Sequence, residues 1–322
     1  MSKEVEVSRG TVMKMLVESV RSRLQMRRDA ITAHPDEWEP VSEESPRRRL
    51  SAPTLQLCAV TDVGKCRSNN EDRYFLSAEG RLWIVSDGMG GQAAGEVASA
   101  LTIQAISESM HAAGPDTGAV TGLCLRDRLV AAFATAQDRV SAHVLKNDGC
   151  KGMGCTAIAG VVDGDALHIC HVGDVRCYHL SECEFKRLTN DHSWVWEKLV
   201  MTGLLTPEQA RSHPERGKVT RGIGLAKQSG VEPDLISVTL KPGDRVMLCS
   251  DGLWEALGDD EIAAVVGSDG SMRQLASVLV DRANAAGGED NITVILYEHS
   301  QTAVDLPDVG RNASADSSRE EE

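Results

Sequence analysis

Acidic residues recur at equivalent places along this sequence. Asp87 follows an apolar run in IVSDGMGG, and Asp251 does the same in MLCSDGLWEAL. Asp174 lies in a tight turn in HVGDVR, Asp290 directly precedes the run ITVILYE, and Glu71-Asp72 precede RYF. A single Asp at a strand end is most often a turn residue that bonds its own backbone. As a set they point further. Strand ends along one edge of a sandwich can converge, and carboxylates crowded together need a cation to hold their charge. Oxygen donors without His or Cys suit Mg2+ or Mn2+, with water completing the octahedron. Gly88, directly after Asp87, lets a backbone carbonyl approach such an ion closely.

A pair of such ions can hold a water, lower its pKa and aim it at a phosphorus atom. The phosphate then needs a cation for its outer oxygens. Arg67 shares a loop with Glu71 and Asp72, and a guanidinium fork bonds two phosphate oxygens at once. A covalent cysteine route is disfavoured, because no Cys sits in a phosphate-cradling CxxxxxR loop. Cys170 and Arg176 have the spacing, but turn and strand residues intervene, and Asp174 there would repel phosphate.

The elements that must position these residues are short. Between 51 and 298, apolar runs alternate with Gly/Asp turns. Residues 55–61, 81–86, 155–162, 166–172, 175–180, 236–240, 245–250 and 292–298 read as strands. Gly164-Asp165 and Ser181-Glu182 separate neighbouring runs at hairpin spacing, so antiparallel pairing follows. Helical stretches near 92–111 and 123–146 fall together between two strands, and another lies near 271–285. Grouped strands and grouped helices favour α+β, with two packed sheets and helices outside. The long stretch 192–224, carrying Trp194 and Trp196, reads as a mobile flap.

Composition narrows the class. The 322 residues are 41% hydrophobic and 25% charged, which excludes collagen, coiled coil and wholesale disorder. No apolar run approaches a membrane span, and the N-terminus lacks the apolar core of a secretory signal, so a cytoplasmic location is expected. A formal net charge of −14 argues against nucleic acid as the main partner. Nine cysteines without a CxxC read as reduced, mostly buried small hydrophobes. Residues 1–50 form an extension. Arg9, Lys14, Arg21, Arg23, Arg27 and Arg28 face Glu18 alone over 9–28, with Met13, Leu16, Val17, Val20 and Leu24 at helical spacing. This basic amphipathic helix either packs on the acidic body or docks an acidic partner or membrane surface. Pro35, Pro40 and Pro46 mark a linker, and 299–322 reads as a disordered acidic tail.

RSNNED, SDGMGG, MGCTAIAG, VGDVR, LTNDHS, VTRGIG, CSDGLWE and GGEDNITV occur in this order. Together they resemble the motif series of the metal-dependent protein phosphatases, the type 2C Ser/Thr phosphatase family, over about residues 55–298. The stretch 188–224 is especially similar to the flap region of bacterial members. The resemblance implies a four-layer αββα sandwich of two antiparallel sheets flanked by helices, with two to three Mg2+ or Mn2+ ions between the sheets. Asp87 would bridge two ions, the Gly88 carbonyl would serve one of them, and Asp251 and Asp290 the other. Asp174 would join Asp251 at a third, weaker position. Arg67 would bind the phosphate, with Glu71 and Asp72 near the ions or acting through water. The implied reaction is direct attack of water on phosphoserine or phosphothreonine in proteins, opposing a bacterial Ser/Thr kinase. Met89 departs from the eukaryotic pattern, which has a His there, and Val175 stands where Ser is common. His192, in the DHS motif, reads as a flap anchor. The rival readings are a pseudophosphatase binding module and a phosphatase dedicated to one regulatory protein. The first usually loses metal-binding Asp residues, which are kept here.

The extension lies where the resemblance is absent, so it should serve location or partner choice. Deleting residues 1–50 is expected to leave p-nitrophenyl phosphate turnover within about twofold, roughly 0.4 kcal/mol of barrier. A soluble, metal-loaded but inactive truncation would place the extension inside the catalytic unit.

Overall fold

The run GCTAIAGVVD is apolar on both faces of its pleat, which a strand shows when it is covered on both sides. A computed structural model, which describes residues 56–90, 94–111, 124–182, 184–225 and 230–300, accounts for this. Strand β4 (Gly154–Asp163) lies mid-sheet and is buried along nearly its whole length. Its alternate residues Cys155, Ala157, Ala159 and Val161 face a helical layer, while Ile158 faces a second sheet.

Ten strands among the described residues make two five-stranded sheets. One sheet has the order β1 (Gln56–Asp62), β10 (Ile292–Glu298), β9 (Arg245–Cys249), β6 (Arg176–Ser181), β7 (Glu184–Arg187). The other has the order β2 (Arg73–Leu76), β3 (Leu82–Met89), β4, β5 (Ala166–Val172), β8 (Asp234–Thr239). Every pairing is antiparallel. Between the sheets, Trp83, Val85, Ile158, Leu167 and Ile169 meet Val175, Val246, Leu248, Ile295 and Tyr297.

Helices close the two outer faces. The sheet of β2–β5 and β8 is covered by α1 (Gly95–His111) and α2 (Leu125–Lys146), with Phe133, Leu129 and Ile106 against Ile84 and Ala159. Beyond the short helix α3 (Pro207–Arg211) come α4 (Asp251–Ala256), α5 (Asp259–Val266) and α6 (Met272–Ala285). On α6 the residues Met272, Leu275, Ala276, Leu279 and Val280 are spaced to face one sheet, and Ser271 with Gln274 caps the start reciprocally. The architecture is thus α/β/β/α.

Three details differ from the sequence reading. Strand β3 continues through Asp87 and Gly88 to Met89, so Asp87 is a strand residue opposite Thr156 rather than one beyond the strand. The four-residue strand β7 and helices α3 to α5 are too short for periodicity to register. His299, placed by composition at the head of the tail, is buried and tied to Asp165, Tyr297 and Asp244. Residues 1–50 and 301–322, including the basic stretch 9–28, lie outside the described residues.

Trp83 is fully buried in the inter-sheet layer, 4.5 Å from the Tyr297 ring, with Nε1 donating to the Gly80 carbonyl at 2.7 Å. Trp83→Ala should therefore cost about 3–5 kcal/mol of stability, read from the midpoint of urea unfolding. An unchanged midpoint would mean that this layer repacks freely.

Candidate metal centre and active site

The chain passes from one sheet to the other at the edge where the acids collect. The loop from β1 to β2 carries Arg67, Glu71 and Asp72; the turn from β5 to β6 carries Asp174. Asp87 reaches this edge on β3, Asp251 opens α4 directly after β9, and Asp290 precedes β10. A cluster that is scattered over more than 200 positions of sequence is thus assembled by strand ends.

Its electrostatics are those of carboxylates lacking a counter-charge. Burial lifts Asp87 well above the carboxylate range, and the charges of Asp251, Asp72, Asp174 and Asp290 add to the rise. Asp251 is raised likewise, by burial and then by Asp174 and Asp290. Asp174 is pushed to about 7 by burial and by Asp191. Asp72 reaches about 6, burial outweighing the hydroxyls that bond it. Three of the four also have an unmet need: Asp72 Oδ1, Asp174 Oδ2 and Asp251 Oδ1 are buried with no hydrogen-bond partner. Buried orphan acceptors are rare in folded proteins, and a divalent cation would satisfy them. The residues present therefore fit a hard cation.

The surrounding groups lock this edge. Ser250 and Thr293 both donate to Asp72 Oδ2 at 2.7 Å. Ser250 stands at the N-cap of α4 yet makes no side-chain cap, because its hydroxyl is committed to Asp72. Arg67 donates Nη2 to Asp290 Oδ2 at 2.7 Å and is half exposed, so it stands at the mouth. A Cβ at Gly88 would run into the Gly95 carbonyl, so glycine here lets the first turn of α1 lie on β3 beside Asp87. Glu71 comes against that same turn, where the helix dipole favours negative charge. Burial nevertheless raises Glu71, with Arg67 opposing the shift.

Asn291 is a functional residue the sequence reading passed over. Its Nδ2 donates to the Val63 and Asn69 carbonyls, both at 2.9 Å, and its Oδ1 accepts from Glu71 N at 2.8 Å. One side chain thus staples the Arg67 loop to the Asp290 strand. The only available signal was its place next to Asp290 in GGEDNITV, where an Asn before a strand reads as an ordinary turn residue.

A second cluster lies at the start of the 192–224 segment. The donor atoms of His171, His192 and Asp234 fall within 4.8 Å of one another, so they form a candidate His/Asp metal group. The rings of His171 and His192 are stacked, 4.6 Å apart at 26°. Nearly parallel rings cannot both point their in-plane lone pairs at one ion close by. In addition, His192 Nδ1 accepts from Gly173 N at 3.1 Å, which leaves the ring proton on Nε2, the nitrogen facing Asp234. A metal could enter only after one ring turned.

The chain belongs to the protein phosphatase 2C family, whose profile matches residues 65–295. It is 36% identical over 253 residues to the serine/threonine protein phosphatase PstP of Mycobacterium tuberculosis, covering 77% of this chain and 46% of that protein. This chain therefore spans about half of the relative's length. Protein phosphatase PhpP of Streptococcus pneumoniae is 35% identical over 251 residues, covering 77% of this chain and 98% of PhpP. A solved catalytic domain of PstP in complex with two manganese ions superposes with a TM-score of 0.67 at 34% identity, over 76% of this chain and 97% of that one. The antiparallel two-sheet fold is that of these phosphatases. No described helix is long and apolar enough to cross a membrane.

Asn291→Ala should free the loop that carries Arg67 and Glu71. Hydrogen exchange at the Glu71 amide should accelerate markedly, and stability should fall by about 1–3 kcal/mol for the three lost bonds. Unchanged exchange at Glu71 would show that the loop is held by other contacts.

Proposed function

We propose that the chain is a metal-dependent phosphoserine/phosphothreonine protein phosphatase. The observation that carries this is the buried, cation-deficient cluster of Asp87, Asp174, Asp251 and Asp72 beside Arg67, in a chain of the 2C family. The orphaned acceptors suit Mg2+ or Mn2+, and two to three ions per chain is our reading. Asp87, Asp251, Asp290 and the Gly88 carbonyl would hold two ions, and Asp174 with Asp251 a third. Such ions, when bound, lower the pKa of water and neutralise charge on a phosphoryl group.

The chain's own residues do the rest. Arg67 exchanges its tie to Asp290 for the outer oxygens of the phosphate, which only a half-exposed guanidinium at the mouth can do. Asp72, held by Ser250 and Thr293, keeps negative charge close to Asp87. Glu71 lies beside the first turn of α1 and acts through water. Met89 supplies no proton, so protonation of the leaving oxygen falls to solvent at the centre. His192 is not available for it, being locked against Gly173. The substrates on this reading are phosphorylated proteins, among them targets of a bacterial Ser/Thr kinase.

Hydrolysis of p-nitrophenyl phosphate and of a phosphothreonine peptide should require added Mn2+ and stop in excess chelator. Asp87→Asn and Asp251→Asn should each abolish turnover, whereas Arg67→Ala should raise KM more than it lowers kcat. Equal rates with and without chelator, or a near-normal Asp251→Asn enzyme at saturating Mn2+, would sink this mechanism.

A further inference from the structure

The residue before Asp174 is the least constrained kind of backbone. Gly173 has φ +101°, and a Cβ there would collide with Thr156. Glycine is required, yet glycine supplies no rotameric or steric preference of its own. Where Asp174 points must therefore be set by partners. Two residues supply them. Trp254 Nε1 donates to the Asp174 carbonyl at 3.0 Å. His192 bonds Gly173 in both directions: its Nδ1 accepts from Gly173 N at 3.1 Å, and its own N–H donates to Gly173 O at 2.9 Å.

His192 is also where the two roots of the flap meet. Its carbonyl accepts from Thr220 N at 2.8 Å, Ser193 bridges Val219, and Trp194 N donates to Lys218 O at 2.9 Å. Its ring is fully buried, stacked on His171 and with Nε2 3.3 Å from Asp234 Oδ2. A buried ring packed on His171, with its own backbone bonded to Gly173 and Thr220, gives Gly173 a fixed acceptor. Without it, a buried backbone N–H would lose its partner.

We infer that His192 is a positioning residue for Asp174, fixing that carboxylate through Gly173 and coupling it to the root of the flap. This rests on the proposed reading of the acidic centre. It differs from a general anchoring role, because the requirement is for one acceptor atom at the Nδ1 position. The coupling runs both ways: displacing the flap roots pulls on the acceptor that orients Asp174.

Two substitutions separate the atoms. In His192→Asn the amide oxygen branches from Cγ as Nδ1 does and can still accept from Gly173. In His192→Gln the amide lies one bond further out, toward Asp234, and leaves Gly173 N–H unpaired. The readouts are Mn2+ binding by calorimetry, the Mn2+ concentration for half-maximal turnover of p-nitrophenyl phosphate, and hydrogen exchange at the Gly173 amide. His192→Gln should weaken the weakest Mn2+ site about tenfold or more, while His192→Asn stays within about threefold of the unaltered chain, as expected for a partner behind a ligand. In an Asp174→Ala background His192→Gln should add nothing, since both act on one interaction. Equal effects of Asn and Gln, or full additivity with Asp174→Ala, would overturn the inference. Should both variants unfold, the unaltered chain decides: Gly173 must exchange as slowly as β5, and exchange at the rate of the surface loops refutes the contact. Metal-independent turnover by the unaltered chain would refute the acidic centre itself, whereas slow Gly173 exchange would survive that result.

Discussion

Buried carboxylates repel one another, and the edge between the two sheets is built around that repulsion. Desolvation dominates the rise in Asp87, Asp251, Asp174 and Asp72, with neighbouring carboxylates adding to it. Such a cluster destabilises the fold unless positive charge arrives, so the rest of the molecule has to hold it in place. The helical layers and the inter-sheet core do this at a distance. Near the site, fixed dipoles and donors do it: Ser250, Thr293, Trp254 Nε1 and the Asn291 amide. Ser250 shows the priority, since a hydroxyl at the start of a helix would normally cap it and here bonds Asp72 instead.

The two-sheet topology explains why crowding is possible at all. A single sheet delivers residues at its strand ends along a line. Here β1 leads into β2, and β5 into β6, by crossing from sheet to sheet, so the connecting loops lie over the gap. Asp174 and the Arg67 loop thereby face Asp87 on one sheet and Asp251 on the helix that follows the other. Glycine makes the close approaches feasible where the helix α1 meets β3 and where the Asp174 turn passes Thr156. The same loops carry no regular secondary structure, so their geometry depends on side-chain staples such as Asn291.

Much of this was legible in the sequence, for physical reasons. Largely buried strands such as 166–172 and 292–298 are mostly apolar runs bounded by turn residues, and they lie where such runs predict. Acids at the ends of such runs were visible because polar residues are conspicuous beside them. The end of β3 was not legible, since Asp87 and Gly88 are poor strand formers that the ladder with β4 carries regardless. Short helices such as α4 are held by tertiary contact and lack a periodic signal. Asn291 and Ser250 were illegible because their importance lies in partners more than a hundred residues away, and no local pattern encodes those.

The start of the 192–224 segment follows the same logic with opposite charge. Arg176, two residues after Asp174, is buried and forks onto Asp191 at 2.6 and 2.9 Å, while its guanidinium lies 3.5 Å from the Trp254 ring centre. Burial works to lower its pKa, but Asp191 and Tyr178 overcome that and raise it, so the charge persists. Trp254 therefore bonds the Asp174 carbonyl through its edge and supports Arg176 through its face. Arg187 lies similarly over Trp196, 3.8 Å from the ring centre. Tryptophan suits these places because it offers a donor edge and an electron-rich face at once. Residues 192–224 are thus attached through the same residues that hold the Asp174 turn, and Asp191, His192 and Trp254 make the start of that segment and the turn one mechanical unit.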